Sequence, residues 1–161
     1  MLKLIAAAPL YWQQAYAGAL DFQSSPSNNR RLLAVTLDIL IPRDITPSAT
    51  DLKLDVEIMS LADQVSRYPE LLEQGLGWLE STSIRSFNKA FLELQLEHQN
   101  LIVDTAFNQP DMTLPKVFIE RLRDDVMTLY YHHNAAWEGM EIEQPIQPTG
   151  YPKHDKSPEE L

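Results

Sequence analysis

The sequence predicts an all-α protein: a small bundle of four to five helices followed by an extended, proline-rich C-terminal arm. Apolar residues recur with helical spacing in several successive segments, and no segment alternates apolar and polar residues as a strand does. Prolines interrupt the chain where these segments begin or end. With 161 residues, 44% of them hydrophobic, the chain is long enough for one domain with its own core.

The first 29 residues differ in composition from those that follow. Lys3 precedes an apolar run that is broken by Pro9, and Ala-Tyr-Ala follows at 15–17, which is the order found in an export signal. The run is shorter than the roughly 20 residues that span a bilayer. We therefore predict an export-signal-like segment at 1–17 and a polar linker at 18–29. An ordinary N-terminal core helix is the alternative.

A helical domain is predicted over residues 30–139. Its first helix ends at Pro42, because a proline disfavours helical geometry at the residue before it. After a loop, a second helix should run from about Asp55 to Tyr68. The residues expected to face inward are Leu33, Leu37, Leu40 and Ile41 in the first helix, and Ile58, Leu61, Ala62 and Val65 in the second.

The third predicted helix covers residues 69–81, with Pro69 in its first turn, where the missing N–H costs nothing. Gly75 and Gly77 either weaken this helix or allow close packing around Trp78. A fourth continuous helix is predicted over 86–107 and a fifth over 115–137. Their apolar faces comprise Phe87, Ala90, Phe91, Leu94, Leu101 and Ile102, and Phe118, Leu122, Val126, Leu129, His133 and Trp137. The several prolines of residues 140–161 favour an extended arm.

The charge of the chain excludes some partners and favours others. Its 13 basic and 23 acidic residues give a net charge of −10, which argues against nucleic acid and against an anionic membrane surface. A basic protein surface would suit it better. Cysteine is absent, which excludes disulfides, thiolate metal sites and cysteine nucleophiles.

Candidate reactive side chains do not form a recognisable catalytic pattern. They are Glu93, Glu97, His98, His132 and His133. No Glu-x-x-His motif of the di-iron bundle type occurs, and neither a phosphate-binding loop nor a nucleophile elbow is present. We interpret the glutamates as a solvated helix face and His133 as a hydrogen-bonded core residue. The sequence therefore predicts no catalytic residue, no cofactor-binding residue and no metal ligand in this chain.

Three segments, in order, resemble the gluconate 2-dehydrogenase subunit 3 family. The first is LAVTLDILIPRDITPSATDLKL at 33–54, and the second is the 86–107 segment, in which Phe91, Leu94, Gln99 and Ile102 match the family pattern. The third is LYYHHNAAWEGMEIEQPIQPTGYP, in which Met140 replaces an expected tyrosine. Its matching residues are Tyr130, Tyr131, Trp137, Pro145, Gln147, Pro148, Gly150 and Tyr151.

This resemblance implies a non-catalytic small subunit of a periplasmic, membrane-associated dehydrogenase complex that oxidises gluconate or a related sugar or alcohol. FAD would belong to the large subunit and haem c to a cytochrome subunit. The small subunit would stabilise the flavoprotein and assist its twin-arginine export, although the N-terminal segment of this chain lacks the arginine pair.

The residues expected to bind the large subunit are aromatic or belong to the arm: Tyr130, Tyr131, Trp137, Pro145, Pro148, Gly150 and Tyr151. Aromatic side chains of this kind often dominate interfaces, and a stiff arm loses little entropy on docking. Three alternatives remain open at this point: the aromatic residues belong to the core, the chain is a free-standing periplasmic adaptor or chaperone, or it is a helical metal protein.

Overall fold

The structure, a computed structural model, describes residues 25–140. Within that range the chain forms five α-helices and no strand, so the predicted all-α class is confirmed. The helices are α1 (Pro26–Leu40), α2 (Leu54–Gln64), α3 (Tyr68–Phe87), α4 (Leu96–Phe107) and α5 (Leu114–His132). A 3-10 turn at Phe91–Glu93 precedes α4, and a 3-10 segment at Asn134–Met140 follows α5. None of the helices in the described residues is long and apolar enough to cross a membrane.

Helix α1 begins earlier than the sequence prediction placed it. The side chain of Ser25 accepts a hydrogen bond from the backbone N–H of Asn28, and Pro26 occupies the first position of the helix. The serine side chain thus pairs one of the backbone N–H groups that have no partner inside the helix, and the proline at the first position has no N–H to pair. Residues 26–29, predicted to belong to the linker at 18–29, are therefore helical, and residues 18–24 of that linker lie outside the described residues.

Residues in the left-handed region terminate or precede several helices. Val65 is extended (φ −110°, ψ 119°) and ends α2 at Gln64, so α2 does not continue to Tyr68 as predicted, and Arg67 (φ 65°) precedes α3. Tyr68 instead begins α3, and Pro69 lies in the first turn of that helix, as expected. The predicted end of the third helix at residue 81 is also wrong, since α3 continues for another turn and a half to Phe87.

The fourth predicted helix is not continuous. Asn88 (φ 53°) ends α3, Ala90 is extended before the 3-10 turn, and α4 begins only at Leu96. Asparagine tolerates the left-handed geometry that ends a helix better than most residues do. Leu101, assigned to the inner face of one long helix, is 54% exposed as a result.

Helix α5 lies at the centre of the bundle and contacts each of the other four helices. Its inward face consists of Phe118, Ile119, Leu122 and Val126, all fully buried. Phe118 lies directly against Gly75 of α3, so the close approach that glycine allows is to α5 and not to Trp78. The helix ends at His132, five residues before the predicted end at Trp137.

Candidate partner-binding surface

Three carboxylates fix the loop between α1 and α2, which contains the proline-rich part of the first family-like segment. The side chain of Asp38 accepts hydrogen bonds from the backbone N–H of Thr50, at 2.9 Å, and from its hydroxyl, at 2.6 Å. The other two carboxylates act inside the loop, where Asp44 accepts from Thr46 and Asp51 accepts from Ser48. The backbone of this loop is thus held by side chains where no helix supports it.

Hydrogen bonds to the ionised form lower the pKa of both loop carboxyl groups. For Asp44 the main cause is the backbone N–H of Thr46, and for Asp51 it is the backbone N–H of Ser48. Arg43, which forms an ion pair with Asp51, contributes further to the low pKa of Asp51. The loop therefore keeps its negative charges, and with them its turn geometry, at any pH near neutrality.

Tyr130 joins this loop to the C-terminal end of α5. Its hydroxyl donates a hydrogen bond to the backbone carbonyl of Pro47 at 2.9 Å, across 83 residues of sequence. The Tyr130 side chain is only 4% exposed. The first and third family-like segments, which are far apart in the chain, therefore meet at this contact.

Side chains from α3 and α4 hold the 3-10 turn before α4, which belongs to the middle family-like segment. The buried carboxylate of Glu80 accepts a hydrogen bond from the backbone N–H of Phe91 at 2.9 Å, and the side-chain amide of Gln99 donates to the carbonyl of the same residue at 2.9 Å. The backbone N–H of Phe91 is thus paired with a side chain of α3, and its backbone carbonyl with a side chain of α4. Gln99 was identified from the resemblance, whereas Glu80 was only counted among acidic residues, since its burial depends on long-range packing.

The 3-10 segment after α5 is fixed against the bundle by further contacts. Ala136 is buried, and the indole Nε1–H of Trp137 donates to the carbonyl of Tyr131 at 3.0 Å. The imidazole Nε2 of His133 lies 3.2 Å from a carboxylate oxygen of Glu57 on α2. His133 is hydrogen-bonded as predicted, but it is partly exposed and not a core residue. This 3-10 segment, which we call the base of the arm, therefore has a defined position on the bundle.

Exposed apolar side chains occur on α5 before this segment and in the loop that Tyr130 holds. Tyr131 is 46% exposed and packs edge-on against Tyr130, with ring centroids 5.4 Å apart. Met127 lies one helical turn before Tyr131 on the same face of α5 and is 38% exposed. Ile45, in the loop held by Tyr130, is 82% exposed. We call these three residues, Ile45, Met127 and Tyr131, the corner surface.

The structure brings together only part of the predicted binding set. Tyr130 is buried, Tyr131 is exposed, and Trp137 is partly buried and packs against the core. The predicted residues Pro145, Pro148, Gly150 and Tyr151 lie outside the described residues. Ile45 and Met127 were not predicted. An isoleucine between two polar residues of a loop was the available signal for Ile45, while Met127 has no comparable signal.

The candidate reactive side chains do not converge. The ring of His98 stacks on Phe87 with centroids 4.3 Å apart, and His132 contacts the carbonyl of Thr128 within its own helix. His133 pairs with Glu57 on the other side of the bundle end. No group of three metal-binding side chains occurs anywhere in residues 25–140.

Seven of the 23 acidic residues lie within residues 51–80, and part of this acidic cluster has a structural role. Asp51 caps the loop, Asp55 pairs with Arg30 at 3.0 Å, and Glu80 binds the turn before α4. Asp63, Glu70 and Glu73 remain exposed on α2 and α3. The negative surface that a partner would meet is therefore smaller than the residue count indicates.

Comparison with known proteins places this fold in a family. No curated protein and no solved structure matches the chain. A model of the family described as gluconate 2-dehydrogenase subunit 3 matches residues 27–144, which include nearly all of the helical bundle and the base of the arm. The match includes the first two family-like segments and the third as far as residue 144, so that Pro145, Gln147, Pro148, Gly150 and Tyr151 lie outside it. The chain belongs to the gluconate 2-dehydrogenase subunit 3 family.

Proposed function

We propose that this chain is the non-catalytic small subunit of an FAD-dependent gluconate, sugar or alcohol dehydrogenase complex in the periplasm. The family match over residues 27–144 is the observation that supports this proposal. In it, the large subunit carries FAD and performs the oxidation, and a cytochrome subunit with haem c passes the electrons on. The small chain stabilises the flavoprotein and accompanies it, already folded, through twin-arginine export.

The corner surface and the arm form the docking site in this proposal. Tyr131 and Met127 are exposed on α5, which leads into the arm, and Ile45 is exposed in the loop that Tyr130 of the same helix holds. Apolar and aromatic side chains of this kind gain most when a partner covers them. Tyr130 has a positioning role here, because it is buried and its hydroxyl holds the loop that carries Ile45.

Affinity of the two subunits tests the docking site. We expect Tyr131→Ala to weaken capture of the flavoprotein about 30-fold, as the loss of an interface anchor worth about 2 kcal/mol would. Ile84→Ala is the matched control, since Ile84 on α3 is similarly exposed, at 49%. Tyr130→Phe removes only the hydroxyl, and we expect an intermediate loss through the loop. Equal affinity for Tyr131→Ala and the unchanged protein would move the interface elsewhere.

The arm itself is tested by deletion after Gly139. We expect the bundle to stay folded, because its core lies within the helices, and the affinity for the flavoprotein to fall sharply. Tyr151→Ala is the milder version. If the shortened chain unfolds, the arm belongs to the bundle; if it binds fully, the arm is not part of the interface.

Export and stabilisation need a separate measurement in cells. Removal of this chain should reduce the folded, FAD-loaded large subunit that is recovered from the periplasm. Co-purification should yield a flavoprotein and, with it, a haem protein. Recovery of a different partner would instead favour an adaptor or chaperone role.

A further inference from the structure

A cavity of about 360 Å³ opens where α3 begins, between that helix and the first half of α5. Its apolar part is formed by Val65, Leu71 and Leu114. Two arginines also line it, Arg67 just before α3 and Arg121 on α5. A cavity of this size can hold a small ligand. We call it the α3 cavity.

The guanidinium of Arg121 is held in place while part of its hydrogen-bonding capacity stays unused. Its Nε donates to the carboxylate of Asp125 at 2.6 Å, and its Cζ lies 5.0 Å from the ring centroid of Tyr68. Its two terminal nitrogens donate no hydrogen bond to the described part of the chain. The fork of N–H donors on an arginine matches the two oxygens of a carboxylate. Arg121 therefore offers oriented donors to a ligand in the cavity.

Arg67 brings a second positive charge to the same cavity. It occupies the N-cap position of α3 in a left-handed backbone conformation (φ 65°), and its side chain does not cap the helix. Serine, threonine, aspartate or asparagine at this position would pair a free N–H of the helix. The exposed Arg67 side chain forms no ion pair within residues 25–140. Arg67 thus neither caps α3 nor neutralises a carboxylate of the described chain.

The first turn of α3 contributes two further donors, from residues that line the cavity. The backbone N–H of Glu70 finds no backbone acceptor in the described residues, as is usual at the start of a helix. The Tyr68 side chain is only 3% exposed, and its enclosed hydroxyl has no hydrogen-bond partner there either. Burial raises the pKa of this hydroxyl, and the nearby carboxylate of Asp125 raises it further, so the hydroxyl keeps its proton. Such enclosed donors are normally paired.

We propose that the α3 cavity binds a small organic carboxylate with an apolar part. The carboxylate lies between Arg67 and Arg121 at the positive end of the α3 dipole, and the apolar part covers Leu71 and Leu114. Among the described residues that line the cavity, two are basic and only Glu70 is acidic, although the whole chain has a net charge of −10. This site depends neither on the flavoprotein nor on the corner surface.

Titration of the isolated protein with phenylacetate, followed by the amide NMR signals, tests the proposal. We expect saturable shifts at Ser66, Glu70 and Leu71, with a dissociation constant in the millimolar range that is typical of so small a ligand. Phenylacetamide has the same shape without the charge and serves as the matched ligand. It should bind about tenfold more weakly, because it cannot form charge-assisted hydrogen bonds to the arginines.

Exposed side chains allow the charge of the cavity to be changed without disturbing the core. Arg67→Gln should weaken phenylacetate binding about tenfold, since it removes a charged donor. Glu70→Gln should strengthen binding about threefold, because it removes the negative charge at the cavity. Arg31→Gln is the control, since Arg31 on α1 is exposed and does not line the cavity, so affinity should stay unchanged.

The opposite signs expected for the two cavity variants make the proposal easy to refute. Equal binding of phenylacetate and phenylacetamide would show that the carboxylate is not recognised. Equal weakening by Arg67→Gln and Arg31→Gln would mean that only the net charge of the protein matters. The absence of saturable shifts around residues 65–71 would show that the cavity does not bind this class of ligand. A preference for phenylacetate that falls in Arg67→Gln and rises in Glu70→Gln supports the site.

Discussion

The two glycines of α3 should respond in opposite ways to exchange for alanine. Gly75→Ala should lower the free energy of unfolding, and Gly77→Ala should raise it. A Cβ atom at Gly75 would lie 2.1 Å from Cγ of Phe118, with two more ring carbons at 2.2 and 2.6 Å. Carbon atoms in contact normally stay about 3.5–4.0 Å apart, so the ring or the helix must move by more than 1 Å. Phe118 is fully buried at the α3–α5 contact, so the ring has no exposed side toward which to turn. At Gly77 an added Cβ would meet nothing within 4 Å.

These distances give the expected free energies of unfolding. Overpacking of a core usually costs about 1–3 kcal/mol, and alanine returns up to about 1 kcal/mol relative to glycine inside a helix. Gly75→Ala should therefore destabilise the protein by about 1–2 kcal/mol. Gly77→Ala lacks the clash and should stabilise it by about 0.5–1 kcal/mol.

Urea denaturation followed by circular dichroism measures both variants. The midpoint should fall for Gly75→Ala and rise for Gly77→Ala, with an unchanged slope in each. Phe118→Leu should cost less in the Gly75→Ala background than alone, because the smaller side chain relieves the clash. A Gly75→Ala protein as stable as the parent would refute the proposed α3–α5 contact.

Two further predictions concern carboxylates. Glu80→Ala should lower the free energy of unfolding by about 1–3 kcal/mol, because it leaves the backbone N–H of Phe91 without an acceptor; Glu80→Gln, which keeps an acceptor oxygen, should lose much less in the same urea titration. Hydrogen bonds lower the folded-state pKa of Asp44 and Asp51, so their contribution to the loop is complete above the unfolded value of about 3.9 and is lost as the pH falls through the lower folded value. Amide hydrogen exchange at the residues that donate to these carboxylates should therefore show no loss of protection from this cause between pH 7 and 5, and a loss below about pH 4; loss of protection already at pH 6 would contradict the assigned hydrogen bonds.

The sequence predicted the helices best where apolar spacing and a proline agreed. Pro69 marked the first turn of α3, and Phe118, Leu122 and Val126 of α5 are buried as their spacing indicated. The prediction of one continuous fourth helix over 86–107 was wrong for a physical reason. Phe91 is buried within a 3-10 turn, so an apolar residue on each side of a break can imitate one continuous helical face.

The candidate site was harder to predict than the helices. A tyrosine pair at 130–131 is visible in the sequence, but which member is buried follows from a contact with Pro47, 83 residues away. The exposure of Met127 likewise depends on how α5 is rotated in the bundle. Spacing along one helix contains no information on either point, because both depend on packing between elements.

The contacts of Tyr130, Gln99 and the loop carboxylates show what the residues that match the family pattern do in this fold. Each of these side chains binds backbone of its own chain, so the residues by which the chain is recognised maintain its shape. In the proposed docking site, by contrast, Ile45 and Met127 face outward and are not among the residues that match the family pattern. Under the proposed docking site, a change of partner therefore requires changes at these outward positions and no change in the fold.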